Sequence, residues 1–165
     1  MALDRSHRGF SLIELMIVIT MIGILGASAI AGFQRLGARA HASAFWSDMR
    51  VFAEAFGRHA QERGGFPASV GTAGQVPSGM SDYLRQSNWE KPTPLGGRYE
   101  WIDRDSVTGF TRPLDGAIRV TSCTWTMDQL RRLDGWFDDG NLATGSLTVG
   151  DAGTSVYFVI ERSSP

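Results

Sequence analysis

Between Phe10 and Phe33 the chain reads FSLIELMIVITMIGILGASAIAGF, an unbroken apolar run with one charged side chain, Glu14, and no proline. A run of this kind has few possible fates. As an α-helix it is about 36 Å long, enough to cross a hydrocarbon core of about 30 Å. Asp4, Arg5, His7 and Arg8 precede it, and Arg35 and Arg39 follow. Both flanks are basic, so charge orients the helix only weakly. The short N-terminal flank is the easier one to keep in the cytoplasm, which sends the residues after about 34 across the membrane.

Two plain readings compete for this run. Ala27-Ser28-Ala29 fits the small-x-small pattern of a secretory signal peptide, whose removal would release a binding domain starting at Ile30. A simple membrane anchor is the other. Against the signal peptide, the run is longer than a usual apolar core and it holds a carboxylate. A charge in an apolar helix costs about 2.5–3.5 kcal/mol at the bilayer centre and less near the end, where Glu14 sits. An ionisable group kept in such a place marks a functional position.

The residues His7-Arg8-Gly9-Phe10-Ser11-Leu12-Ile13-Glu14-Leu15 resemble the prepilin-type cleavage and methylation signal of type IV pilins and of the pseudopilins of type II secretion. That pattern is a short basic leader ending in Gly, then Phe, a Thr/Ser-Leu-Ile/Leu-Glu run, and a long apolar stretch. The resemblance implies a structural filament subunit rather than an enzyme. It implies cleavage by a prepilin peptidase between Gly9 and Phe10 on the cytoplasmic side, with N-methylation of the new Phe10 amine. It also implies a single-pass protein of the bacterial inner membrane with its head in the periplasm, or a surface filament after assembly. The implied partners are further copies or related pilins and pseudopilins, the peptidase/methyltransferase, a polytopic assembly platform and an assembly ATPase.

The residue chemistry suits those roles. Gly9 lets a protease approach the backbone closely. Cleavage would place an ammonium at Phe10, the wrong sign for the positive end of a helix dipole. Glu14 stands four residues on, on the same face, and can offset that ammonium within the chain or from a neighbouring subunit. The resemblance implies the inter-subunit pair, which sets register during assembly.

Helical periodicity continues beyond the apolar run. Phe33, Leu36, Ala40, Ala44 or Phe45, Met49, Phe52, Ala53 and Phe56 recur every three or four residues, with Arg35, Arg39, Asp48, Arg50, Glu54 and Arg58 largely between them. Gly64-Gly65 and Pro67 end the pattern. A continuous helix from about 10 to 63 would be roughly 80 Å long. Within it, Gly23, Ala27 and Ala31, and likewise Ser28 and Gly32, are spaced by four. That spacing suits close helix packing in lipid and also matches the ordinary small-residue content of membrane helices. Many pilins carry a proline near the position of Ala31; here Gly23, Gly26 and Gly32 are the candidate weak points.

Beyond residue 63 the pattern is that of a mixed α+β head. Gly64 to Gly79 reads as loop, with a short helix around Met80–Arg85, and Pro92, Pro94 and Gly96-Gly97 form a turn cluster. Tyr99–Ile102 alternates as a strand. Asp115-Gly116 signals a turn before a second strand, Ala117–Ser122. Thr126 with Gln129 makes a capping box that opens a helix through about Leu133, and Val156–Glu161 is a final strand. The expected fold is therefore type IV pilin-like: a long N-terminal helix, transmembrane then amphipathic, packed on a small, mostly antiparallel sheet. The expected organisation is leader 1–9, membrane and polymerisation helix 10–33, amphipathic helix 34–63 and globular head 64–165. The run Trp89…Pro92-Thr93-Pro94-Leu95-Gly96-Gly97-Arg98-Tyr99-Glu100-Trp101 is similar to the loop and first strand of pseudopilin heads.

Other functions find little support. Sixteen basic residues against seventeen acidic give a net charge of −1, which offers no general attraction to nucleic acid. The lone Cys123 rules out an internal disulfide and a Cys-based zinc site; it reads as a buried thiol or an intermolecular pairing point. His7, His41 and His59 lie in the leader or on the long helix, and no nucleophile, zinc-protease or phosphate-loop motif is present. Asp134, Asp138, Asp139, Asn141 and Asp151 cluster near Gly135 and Gly140. Some major pseudopilins hold calcium in a C-terminal loop, and hard oxygen ligands suit that ion. The spacing departs from that loop, so Asp138, Asp139, Asn141 and Asp151 stand as calcium candidates against solvated turns, and no cofactor is otherwise expected. Trp46, Trp89, Trp101, Trp125 and Trp136 read as core or as a ligand platform.

Overall fold

The computed structural model describes residues 11–84, 89–103, 114–150 and 155–162. Six elements follow in order: α1 (Leu12–Arg63), β1 (Arg98–Asp103), β2 (Leu114–Thr121), α2 (Met127–Phe137), β3 (Leu147–Val149) and β4 (Val156–Arg162). Internal contacts divide the chain into two units, Met1–Ala38 and Arg39–Pro165.

In the first unit the described apolar side chains of α1 are exposed. Leu12 to Leu25 leave every large side chain substantially exposed, from Val18 at 44% to Leu12 at 77%. The second unit begins where the helix acquires an inner face. Ala42, Phe45, Trp46, Met49, Phe52, Ala55, Phe56 and His59 are buried at steps of three and four, while Arg50, Glu54 and Arg58 face outward. The expected stripe thus starts later than its periodicity suggested. Leu36 is 67% exposed, Ala40 and Ala44 are exposed, and Phe33 lies outside the described side chains. Gly64 ends the helix with φ +78° and its N–H bonded to the Ala60 carbonyl at 2.9 Å, a left-handed C-terminal cap.

The four strands form an antiparallel sheet in the order β1-β2-β4-β3. One face supplies Tyr99, Trp101, Ile118, Val120, Leu147, Val156 and Phe158 to the core that α1 shares. Aromatic rings dominate the join. Phe56 stacks on Trp101 with centroids 3.9 Å apart, and Phe52 meets Trp89 and Tyr99 edge-on at 5.0 Å. Polar tips inside this cluster are satisfied. Trp101 Nε1 donates to the Pro67 carbonyl, Trp89 Nε1 to the Gln75 carbonyl and Tyr99 Oη to Asp48 Oδ2, at 2.7, 2.9 and 2.8 Å. On the other face Glu100 and Arg119 are register partners, with Arg119 Nη2 2.6 Å from Glu100 Oε2 and the glutamate nearly buried. Burial works against the charged guanidinium, but hydrogen bonds to Glu100 and Tyr157 outweigh it and raise its pKa.

Three expectations need correction. Asp115-Gly116 is not a turn: both residues lie in β2, Gly116 opposite Asp103 at an irregularity in the β2–β4 register. Gly116 is small because the Trp101 ring lies diagonally across from it; a Cβ there would come within 2.4 Å of the indole. The short helix expected around Met80 is a hydrogen-bonded turn in which Tyr83 and Leu84 both donate to the Met80 carbonyl, and Arg85 lies outside the described residues. The helix opened by Thr126 runs on to Phe137, because Leu130, Leu133, Asp134 and Phe137 continue its inner face. Its capping box is present as expected.

Gly116→Ala is expected to destabilise the fold by about 1–3 kcal/mol through overpacking. In a Trp101→Phe background, where the space beside residue 116 is already open, the same substitution is expected to cost clearly less. Urea denaturation of the four proteins of this double-mutant cycle checks both values.

Candidate functional site

Two places concentrate chemistry that the fold itself does not need. The first is the start of α1. Leu15 N donates to the Ser11 carbonyl at 3.2 Å, so the helix opens at Leu12 and Glu14 stands in its first turn. A carboxylate there meets the positive end of the helix dipole. The ion pairs Arg58–Glu54, Arg119–Glu100 and Arg131–Asp128 lie in the second unit. Gly9 and Phe10 lie outside the described residues. From Leu12 to Ala29, eighteen residues with mean hydropathy 2.2, the helix is long and apolar enough to cross a membrane. Its hydroxyls suit that setting: Thr20 Oγ1 and Ser28 Oγ donate to the carbonyls of Met16 and Ile24, at 2.5 and 3.0 Å.

The second place is the end of α2. Asp134 follows Leu130 by four residues on the buried face and is itself fully buried. Neither of its carboxylate oxygens accepts a well-formed hydrogen bond among the described residues, although the Gly140 amide and the Asp139 carboxyl act on it. Asp138 caps the helix: its N–H donates to the Asp134 carbonyl, and its Oδ2 accepts from the amides of Ser146 and Leu147 at 2.5 and 2.9 Å. Gly145 lacks a side chain because that carboxylate fills the space; a Cβ would lie 2.3 Å from Asp138 Oδ2. Asp139 accepts from the Asn141 amide and from Thr144 Oγ1 at 2.8 and 2.6 Å. Carboxylate oxygens of Asp134, Asp138 and Asp139 lie within 4.8 Å of one another. Asn141 instead folds into a turn, its Oδ1 accepting from the Ala143 amide, and Asp151 lies outside the described residues. The fold therefore groups two of the calcium candidates, Asp138 and Asp139, with Asp134. The signal for Asp134 was its helical spacing from Leu130, which puts a carboxylate on an apolar stripe.

Burial, then the charges of Asp138 and Asp139, push the Asp134 pKa up to about 6, with the Gly140 amide pulling the other way. Hydrogen bonds from Thr144 and the Asn141 amide hold Asp139 below its ordinary value. The tryptophans make no platform: Trp46, Trp89 and Trp101 are core, Trp125 packs against it, and Trp136 is 41% exposed with the Arg39 guanidinium 5.8 Å from its ring centre. Cys123 is half-buried, its Sγ 3.6 Å from the Leu95 carbonyl, and burial pushes its thiol pKa up, away from the reactive thiolate.

Comparison with known proteins bears on the first of these places and on the fold. Residues 4–30 match the family described as the prokaryotic N-terminal methylation motif. The structure is similar to that of the major type IV pilin PilA1 from Clostridium difficile, with a TM-score of 0.52 and 15% identity, over 75% of this chain and 96% of that one. The fold is that of a type IV pilin. No curated protein matches the sequence. The prepilin motif and the pilin fold expected from the sequence are thus both found, the motif on the segment that includes Glu14.

The raised Asp134 pKa has a definite sign. An acid that is weaker in the folded than in the unfolded state costs stability once it must ionise. In chelating buffer, stability is therefore expected to fall as pH rises from near the unfolded value of 3.8 to the folded value of about 6, then to level off. Urea midpoints across that window, compared with those of Asp134→Asn, isolate the effect: the variant is expected to lack this fall.

Proposed function

We propose that the chain is a structural subunit of a type IV pilus-like or type II secretion pseudopilus filament. The observation that carries this reading is an eighteen-residue apolar helix with exposed side chains, charged only at Glu14, beginning inside a matched methylation motif. A helix that is apolar all round needs lipid or other helices around it. A pilin-type protein meets both needs in turn, in the membrane before assembly and in the filament after it.

On this reading a prepilin peptidase cuts between Gly9 and Phe10, and the Phe10 amine is methylated. Residues 10–33 anchor the subunit in the inner membrane until an assembly platform and its ATPase extract it, and the residues after 34 lie beyond the membrane. Glu14 of an incoming subunit then pairs with the Phe10 ammonium of one already docked. A carboxylate in apolar surroundings is tolerated when paired, so each misregistered docking leaves a charge without its partner. The pair selects register more than it adds affinity. The work of the protein is mechanical, and its partners are copies of itself or related subunits.

Intact mass and N-terminal sequencing of membrane-extracted protein are expected to give a mature chain starting at N-methylated Phe10. A start at Ile30 would identify a signal-peptide-released domain and end this reading. Glu14→Ala is expected to leave the subunit processed and membrane-inserted while lowering filament yield by more than about tenfold, the loss expected from one uncompensated buried charge. Quantitative blotting of sheared filaments against total membrane protein measures it.

A further inference from the structure

We infer that Trp136, with Arg39 and Arg132 beside it, is an interfacial anchor that docks the second unit on acidic phospholipid headgroups before assembly. The inference rests on the reading of α1 as membrane-inserted, and it goes beyond that reading by giving α2 a lipid contact of its own.

Trp136 is placed unlike the tryptophans of the core. Trp46, Trp89 and Trp101 are 9% exposed or less, whereas Trp136 is 41% exposed. The inner face of α2 carries Leu130, Leu133, Asp134 and Phe137, and Trp136 falls outside it. Its ring therefore adds little to the packing of the fold. An amphipathic ring, apolar in body and with an N–H at its rim, suits a layer that is oily on one side and wet on the other.

Two cations flank the ring. The Arg39 guanidinium lies 5.8 Å from its centre, and Arg132 precedes it by four residues on the same side of α2. Both arginines are exposed, and neither is in an ion pair among the described residues, whereas Arg58, Arg119 and Arg131 are paired. The acids that follow Trp136 are engaged elsewhere. Asp138 accepts from the amides of Ser146 and Leu147, and Asp139 from the Asn141 amide and the Thr144 hydroxyl. Two arginines without carboxylate partners beside a part-exposed indole are the complement of a lipid phosphate layer. The guanidinium fork matches phosphate, and the ring suits the headgroup level.

Position along the chain selects lipid as the partner. Arg39 opens the second unit and follows Phe33, the end of the apolar run, by six residues. Six residues advance a helix by about 9 Å. The headgroup layer on each side of the hydrocarbon core is roughly 5–8 Å thick. Helical Cα–Cβ bonds tilt toward the N-terminus, and for Arg39, within α1, that is the direction of the apolar run. A long arginine side chain can then reach back to the phosphates, as snorkelling side chains do at the ends of membrane helices. Trp136 meets that guanidinium and is carried to the same level. Extraction of the subunit into a filament would strip this contact, so it belongs to the membrane-inserted stage.

The test uses the full chain reconstituted into vesicles of phosphatidylcholine, with or without about a third phosphatidylglycerol, each carrying a headgroup spin label that quenches tryptophan emission. Flotation on a density gradient first reports insertion. In the acidic vesicles the wild type is expected to be quenched, and Trp136→Phe, at an exposed position, to lose more than about half of that quenching, because rings held in the core do not reach the headgroups. Arg39→Gln combined with Arg132→Gln is expected to lower the quenching to its level in phosphatidylcholine alone. The inference is overturned if Trp136→Phe is quenched as strongly as the wild type, or if acidic lipid gives no increase over phosphatidylcholine. It is equally overturned if Trp136 is shielded from aqueous iodide only at a high protein-to-lipid ratio, which would assign the ring to contact with a second copy. A chain that floats yet gives any of these results loses the lipid contact and keeps the membrane-inserted reading; a chain that does not float loses both.

Discussion

An apolar surface must be covered, and the first part of α1 cannot be covered by its own unit. Leucine, isoleucine, valine and methionine side chains from Leu12 to Leu25 surround the helix on all sides. At about 25 cal/mol per Å2 of apolar surface, leaving such a helix in water is prohibitive. The same helix obeys a different rule from Ala42 onward, where burial repeats every three or four residues and one face meets a sheet. One secondary-structure element thus carries two surface patterns. The change between them falls close to Ala38, where the chain divides into its two units.

The second unit holds its sheet to the helix with rings rather than covalent links. With one cysteine no internal disulfide is available, and large aromatic surfaces replace it. Phe52 and Phe56 on α1 meet Trp89, Tyr99 and Trp101, while Trp46 meets Phe137 of α2 and Phe158 of β4. Such rings impose geometry on their neighbours. Trp101 requires glycine at 116, and the turn before β1 requires glycine at 97, where φ is +77° and a Cβ would lie 1.7 Å from the Thr121 carbonyl oxygen.

What the sequence made legible follows from these rules. β1 and β4 were readable because Tyr99–Ile102 and Val156–Glu161 are β-rich runs, and the start of α2 because Thr126 and Gln129 stand at the spacing a capping box needs. β3 was not, since three residues between Gly145 and Gly150 are too few for a period to register. Asp115-Gly116 misled because a turn-forming dipeptide and a glycine admitted for packing look alike until Trp101 is seen beside it. The inner stripe of α1 begins later than its period implies, because periodicity cannot tell where the partner surface begins. The acidic cluster was visible as composition, but its membership depended on a turn that withdraws Asn141 and on the helical phase that brings in Asp134.

Glu14 and Asp134 pose the same question with opposite electrostatics. Each is a carboxylate on an apolar helical surface. Glu14 sits at the positive end of α1, where the dipole offsets part of its charge. It is therefore tolerated in the monomer at modest cost, which is compatible with the pairing proposed above. Asp134 sits at the negative end of α2 beside two further carboxylates, where the dipole adds to the repulsion. That arrangement disfavours the charged form from the moment the unit folds, and Asp134 is correspondingly the weaker acid. The direction of the helix dipole thus eases a charge at Glu14 and opposes one at Asp134.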